Sequence, residues 1–149
     1  MTTTAARDGR PISVGSATAR VKVEADVTGG RFALIEWTLP HGAPAPPPHV
    51  HEEGSETFFV LEGEVVFPLE DGPLRAPAGT CLHVPPGMVH TLSNPNPATA
   101  RVLELFCPGS LLSLVEGVGQ AFAAAAAPDR ERLMELFARH HSRLADAPA

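Results

Sequence analysis

His49-Val50-His51-Glu52-Glu53-Gly54-Ser55-Glu56-Thr57-Phe58-Phe59-Val60-Leu61-Glu62-Gly63 is the stretch on which the fold turns. Two histidines stand two residues apart. Side chains alternate along a strand, so positions i and i+2 face the same way. His49 and His51 then point to one side and can reach one metal ion. Glu56 follows a short turn containing Glu52, Glu53 and Gly54. It opens a run rich in aromatic and β-branched residues, which predicts a new strand. A strand, a tight turn and a returning strand can bring that carboxylate back beside the imidazoles. The stretch alone supplies a candidate three-ligand site.

The chain around it is organised in the same short units. Ala19-Arg20-Val21-Lys22-Val23-Glu24 alternates and predicts an edge strand, and Thr28-Gly29-Gly30 marks a turn. Phe32-Ala33-Leu34-Ile35-Glu36-Trp37-Thr38 is a strong strand whose two faces, Phe32/Leu34/Glu36 and Ala33/Ile35/Trp37, are both candidates for the interior. Pro40 to Pro48 is a proline-dense connector that favours an extended backbone. Downstream, Glu64–Pro68, Leu74–Ala76, Thr80–Val84, His90–Ser93 and Arg101–Phe106 read as strands between Gly- and Pro-rich turns. Many short strands at close spacing predict an all-β sandwich or barrel. The period changes after Cys107-Pro108-Gly109. Leu111, Val115, Val118 and Phe122 follow helical spacing. Pro128-Asp129 starts a second helix with the stripe Leu133, Phe137, His140 or His141, and Leu144. The expected organisation is a loose tail over 1–11, a β-barrel over 12–107 and packing helices over 108–149.

The bulk numbers bound the partners. A chain of 149 residues with 44% hydrophobic content is one domain's worth and can bury a core. A formal charge of −6 argues against a nucleic-acid partner, which needs a basic footprint. Two widely spaced cysteines make no disulfide framework, and packing is the expected role of Cys81 and Cys107. No basic start leads into an apolar run and no apolar run is long enough to span a bilayer, so a cytoplasmic protein without a membrane partner is expected.

A second stretch carries the rest of the site. Gly79-Thr80-Cys81-Leu82-His83-Val84-Pro85-Pro86-Gly87-Met88-Val89-His90-Thr91-Leu92-Ser93-Asn94 places Gly79, Pro85, Gly87, His90 and Asn94 at the spacing Gly-x5-Pro-x-Gly-x2-His-x3-Asn. Together with His49-Val50-His51, four residues, Glu56, six residues and Gly63, it resembles the two motifs of the cupin superfamily. Gly42 leads the first motif from one residue further away than usual. The resemblance spans about residues 30 to 106, and fifteen residues separate the motifs, as in small single-barrel cupins. It implies a double-stranded β-helix (jelly roll) with a metal inside, held by His49, His51, Glu56 and His90, and a homodimer.

Three neutral imidazoles and one carboxylate would leave a divalent ion with net charge about +1 and open positions. Such a centre can bind an enolate, phenolate or carboxylate. The phrasing around Glu56 is similar to quercetin-dioxygenase-like monocupins. The first functional expectation is therefore a metal-dependent dioxygenase acting on a small enol, phenol or polyketide-like substrate. A polyketide cyclase or isomerase using zinc, and a non-catalytic small-molecule-binding barrel, are the alternatives. The ion would be one divalent iron, manganese, nickel or zinc. Glu56 is a candidate for both ligand and base. His83 is a candidate base if its face of the strand is inward. Phe58 and Val60 share parity with Glu56 and are expected in the substrate pocket, with Trp37 from the neighbouring strand. Tyrosine is absent, so no phenol side chain takes part.

Overall fold

The computed structural model describes residues 3–5, 8–43, 46–69, 71–124 and 128–146. Positions 44 and 45 of the proline connector lie outside them. The strands are β1 (Arg10–Val14), β2 (Ala17–Val23), β3 (Ala33–Leu39), β4 (His49–His51), β5 (Ser55–Glu62), β6 (Glu64–Phe67), β7 (Leu74–Pro77), β8 (Cys81–Val84) and β9 (Ala100–Cys107). Helices α1 (Leu112–Ala124) and α2 (Arg130–Arg139) follow, and β10 (Ser142–Leu144) ends the described chain. Six strands form one sheet in the order β1-β2-β3-β9-β5-β8, and every pairing in it is antiparallel. The pairs β6-β7 and β4-β10 belong to the opposite side. Residues 90–93 stitch these two pairs together, through bridges from His90 to His49 and from Ser93 to Val66. The expected strand over His90–Ser93 is thus a connecting thread. The result is the two-sided jelly roll.

Alternation sets the interior. On β3 it is Ala33, Ile35 and Leu39 that are buried, with Trp37 on their side, so the opposite face of Leu34 and Glu36 is the outer one. Register across the sheet carries this inward side from strand to strand. Phe58 lies opposite Glu104 and Glu56 opposite Phe106, so all four point the same way. Phe58 and Phe67 meet edge to face, their centroids 5.3 Å apart, in the centre of the barrel core. Gly63 makes the turn from β5 to β6 at φ 72°, where a Cβ would also come 2.9 Å from the Thr99 carbonyl oxygen. Only glycine meets both demands.

Three expectations change. The tail over 1–11 is not loose throughout its described part: Arg10 and Pro11 already pair with Val21 and Arg20. Before them, Lys22 Nζ donates to the carbonyls of Ala5 and Asp8, and Thr4 Oγ1 to that of Lys22. The stretch 108–149 is not all helix. α2 stops at Arg139, His141 takes a left-handed φ of 49°, and the chain returns to the barrel as β10, so Leu144 belongs to a strand and not to the α2 stripe. Cys81 and Cys107 are exposed, because Cys81 shares the outer face of the sheet with Phe59 and Cys107 ends β9.

The helices are seated by glycines. Gly119 brings α1 so close to β1 that an added Cβ would lie 2.7 Å from the Ser13 carbonyl oxygen. Glycine inside a helix costs about 1 kcal/mol relative to alanine, so a Gly119→Ala change would ordinarily stabilise. Here the clash is with backbone, and a net loss of about 1–3 kcal/mol is expected. Thermal unfolding checks the sign: a melting temperature above that of the native chain would contradict this packing of α1.

Candidate metal centre

His49 and His51 share β4, Glu56 lies on β5 and His90 on the connecting thread. All four are buried. One donor atom from each lies within 4.8 Å of the others. Ligands on opposite sides of a single ion are about 4 Å apart when each bond is about 2.1 Å, so the four need only close in slightly on a shared ion.

Hydrogen bonds orient the rings. His49 Nδ1 is 2.8 Å from the Pro47 carbonyl and His90 Nδ1 is 3.0 Å from that of Met88. A carbonyl only accepts, so each Nδ1 carries a proton, and the neutral form of each ring offers its lone pair at Nε2. His51 Nδ1 is 2.7 Å from the Ser142 hydroxyl oxygen. His51 Nε2 and His90 Nε2 each lie 2.9 Å from a different Glu56 oxygen. Buried imidazole lone pairs converging with a carboxylate, each ring anchored through its other nitrogen, are the donor set a divalent ion takes.

Electrostatics agree with this. Burial, reinforced by the charge of His90, pushes the His49 imidazole down to about 3, so it stays neutral and available as a donor. Burial alone would raise the Glu56 carboxyl, but hydrogen bonds from His51 and His90 outweigh it and hold Glu56 below its ordinary range. For His90, burial is likewise outweighed by Glu56, which raises it. A site that draws a proton between carboxylate and imidazole draws a cation to the same lone pairs, and proton and metal compete there.

The other motif residues have structural tasks. Gly87, at φ 81°, donates its N–H to the His51 carbonyl at 2.8 Å. The Asn94 amide donates to the carbonyls of Leu39 and Ala98, each at 2.8 Å, and its oxygen accepts from Asn96 N–H. These bonds pin the thread that carries His90.

The four residues stand at one end of a cavity of about 90 Å3. That is room for about six to nine waters at about 10–15 Å3 each, or on the order of one ring. Phe58 and Trp37 line it. Val60 does not; it is buried in the adjoining core with Phe67 and Val102. His83 is not at the cavity either. It lies opposite Thr57 on the outer face and is exposed, its Nδ1 2.9 Å from the Thr57 hydroxyl. The face of β8 that carries His83 is the outward one, which removes it as a candidate base.

Two contributions escape the sequence reading. Leu114 and Val118 of α1 and Phe137 of α2 wall the cavity, and the Phe137 ring lies 5.2 Å from that of His49. The C-terminal helices therefore build the pocket as well as packing on the barrel. Glu104 is a second buried carboxyl in the cavity. Burial pushes it well above the usual carboxylate range and the nearby Glu56 adds to this, while a 2.5 Å hydrogen bond from Trp37 Nε1 works the other way.

Residues 35–106 match the family model described as "Cupin domain". This barrel is a cupin. Solved structures agree on the fold. The polyketide cyclase RemF from Streptomyces resistomycificus is similar with a TM-score of 0.62 and 25% identity, over 72% of this chain and 79% of that one. A protein with a double-stranded β-helix domain from Klebsiella pneumoniae gives a TM-score of 0.56 and 26% identity, over 69% and 80%. A predicted oxalate decarboxylase from Thermotoga maritima gives 0.60 and 19%, over 68% and 92%, a likeness of fold alone. No curated protein matches the sequence. Among the described residues, no helix is long and apolar enough to cross a membrane. The cupin site could bind a metal ion through His49, His51, Glu56 and His90.

Proposed function

We propose that this cupin is a metal-dependent enzyme acting on a small enol or polyketide-like substrate by non-redox closure of a ring. The observation that carries the reading is the buried three-histidine, one-carboxylate cluster opening onto an otherwise largely apolar cavity. The likeness to a polyketide cyclase at 25% identity favours ring closure over the dioxygenase expected first from the sequence. His49, His51, His90 and Glu56 would hold the ion, and a divalent ion there would polarise a carbonyl and favour its enolate.

The remaining work falls to the chain itself. Phe58, Leu114, Val118 and Phe137 exclude water and favour a flat apolar ligand. Glu56 takes the proton next to the carbonyl. The carbon so freed attacks a second carbonyl of the same molecule, one C–C bond forms, and the second carbonyl oxygen takes up a proton. No oxidant is consumed. Glu104, held by the Trp37 N–H and close to Glu56, gives the cavity a further polar group that can meet a substrate oxygen.

Replacing Glu56 by Gln keeps an oxygen donor and removes the base. Turnover of a 1,3-dicarbonyl substrate is expected to fall about 100-fold or more, as general bases contribute about 10²–10⁴, while metal content persists. Unchanged turnover would remove Glu56 as the base. Oxygen uptake with the same substrate, measured at an electrode, decides between the readings: consumption matched to product would sink ring closure and restore the dioxygenase.

A further inference from the structure

The last described strand reaches back to the metal cluster. β10 pairs with β4 so that Ser142 lies opposite His51, Arg143 opposite Val50 and Leu144 opposite His49. Backbone bonds fasten it beyond both ends, from Glu52 N–H to the His141 carbonyl at 2.9 Å and from Ala145 N–H to the Pro48 carbonyl at 2.8 Å. The exposed Arg143–Glu52 pair adds little.

Ser142 is 5% exposed. Its hydroxyl donates to the His140 carbonyl at 2.9 Å. That proton is thereby committed, and a lone pair is what Ser142 offers His51 Nδ1 at 2.7 Å. With His51 Nδ1–H donated to Ser142, an ion that displaces the proton shared between Nε2 and Glu56 meets the Nε2 lone pair. The opposite tautomer would put a proton where a metal bond must form. His49 and His90 are oriented by carbonyls only two residues away in sequence, Pro47 and Met88. His51 depends on a group 91 residues away.

We propose that Ser142 is a positioning residue of the metal centre, and that β10 is the element through which the C-terminal segment sets the site's affinity for a divalent ion. This rests on the reading that the cluster binds metal. The same segment carries Phe137 on α2, so one stretch of chain both walls the cavity and fixes a ligand ring. Affinity for the ion and closure of the cavity are thereby tied together.

The test uses the full chain as native protein and as Ser142→Ala and Ser142→Thr variants. Zn2+ affinity is measured by competition with a chromophoric chelator. Nitrogen NMR of the imidazoles in the Zn2+-loaded proteins reads the His51 Nδ1–H. Loss of a group that orients a metal ligand typically costs about 10- to 100-fold in affinity, and that is the expected loss for Ser142→Ala. Its His51 Nδ1–H signal should also shift, having lost its acceptor, while the signals of His49 and His90 stay in place. Ser142→Thr keeps the hydroxyl and should recover most of the affinity. Native-like Zn2+ affinity and an unchanged His51 Nδ1–H signal in Ser142→Ala would overturn the assignment. So would a folded Ser142→Thr as impaired as the alanine variant. A native chain that binds no Zn2+ would overturn the metal reading as well, whereas native binding with an unaffected alanine variant overturns the role of Ser142 alone.

Discussion

Replacing His51 with alanine is expected to lower metal affinity by roughly 100- to 1000-fold. Structural zinc sites with four ligands are worth about 10–16 kcal/mol, or about 2.5–4 kcal/mol for each ligand, and each 1.4 kcal/mol is tenfold. His51 is buried, its Nε2 faces Glu56 and its other nitrogen is engaged by Ser142. A second readout follows from mass action. An ion that binds only the folded chain stabilises it by about 2.7 kcal/mol at a hundredfold excess over Kd, which raises the melting temperature by roughly 5–10 °C for a chain of this size. The native chain should show that rise on adding metal and the His51→Ala chain should not. An equal rise in both would place the ion somewhere else.

The second large effect lies in α2. Phe137 is 2% exposed, belongs to the core shared with Ile35, Phe106 and Leu114, and lies against the His49 ring. Truncating a buried phenylalanine to alanine costs about 3–5 kcal/mol, part of it from the cavity left behind. Phe137→Ala should therefore lower the melting temperature by roughly 6–20 °C. It should also enlarge the cavity beside the cluster while leaving the four donor residues in place. The expected variant is a less stable protein that still binds metal and accepts bulkier ligands. A cost under about 1 kcal/mol, within the range of ordinary surface changes, would mean that α2 is not seated as described.

How much of this was legible beforehand depended on the kind of signal. The four cluster residues could be read because their spacing is local: i and i+2 on one strand, a short return to Glu56, and a glycine- and proline-marked turn before His90. The barrel followed from the density of short alternating segments. Glu104 was not legible because both faces of β9 are largely apolar, Val102 and Phe106 on one side and Leu103 and Leu105 on the other. Its pairing with Phe58 of β5 and Ile35 of β3 shows which side is inward. His83 failed for the same reason in reverse, since four residues of β8 do not reveal which face meets Thr57. Ser142 was hidden by helical periodicity. Leu133, Phe137 and Leu144 fit one stripe, so the break at Arg139 and the return as β10 left no trace in the pattern. Tertiary pairing over a long sequence separation is what local periodicity cannot report.

The proposed centre holds one divalent ion between His49, His51, Glu56 and His90. Elemental analysis of the native chain, loaded with a divalent metal and dialysed extensively, tests it most directly when set beside a His90→Ala chain treated identically. One ion per native chain and a small fraction of that in the variant are expected. Native protein that retains no ion after loading, or a variant that retains as much as the native chain, would contradict it.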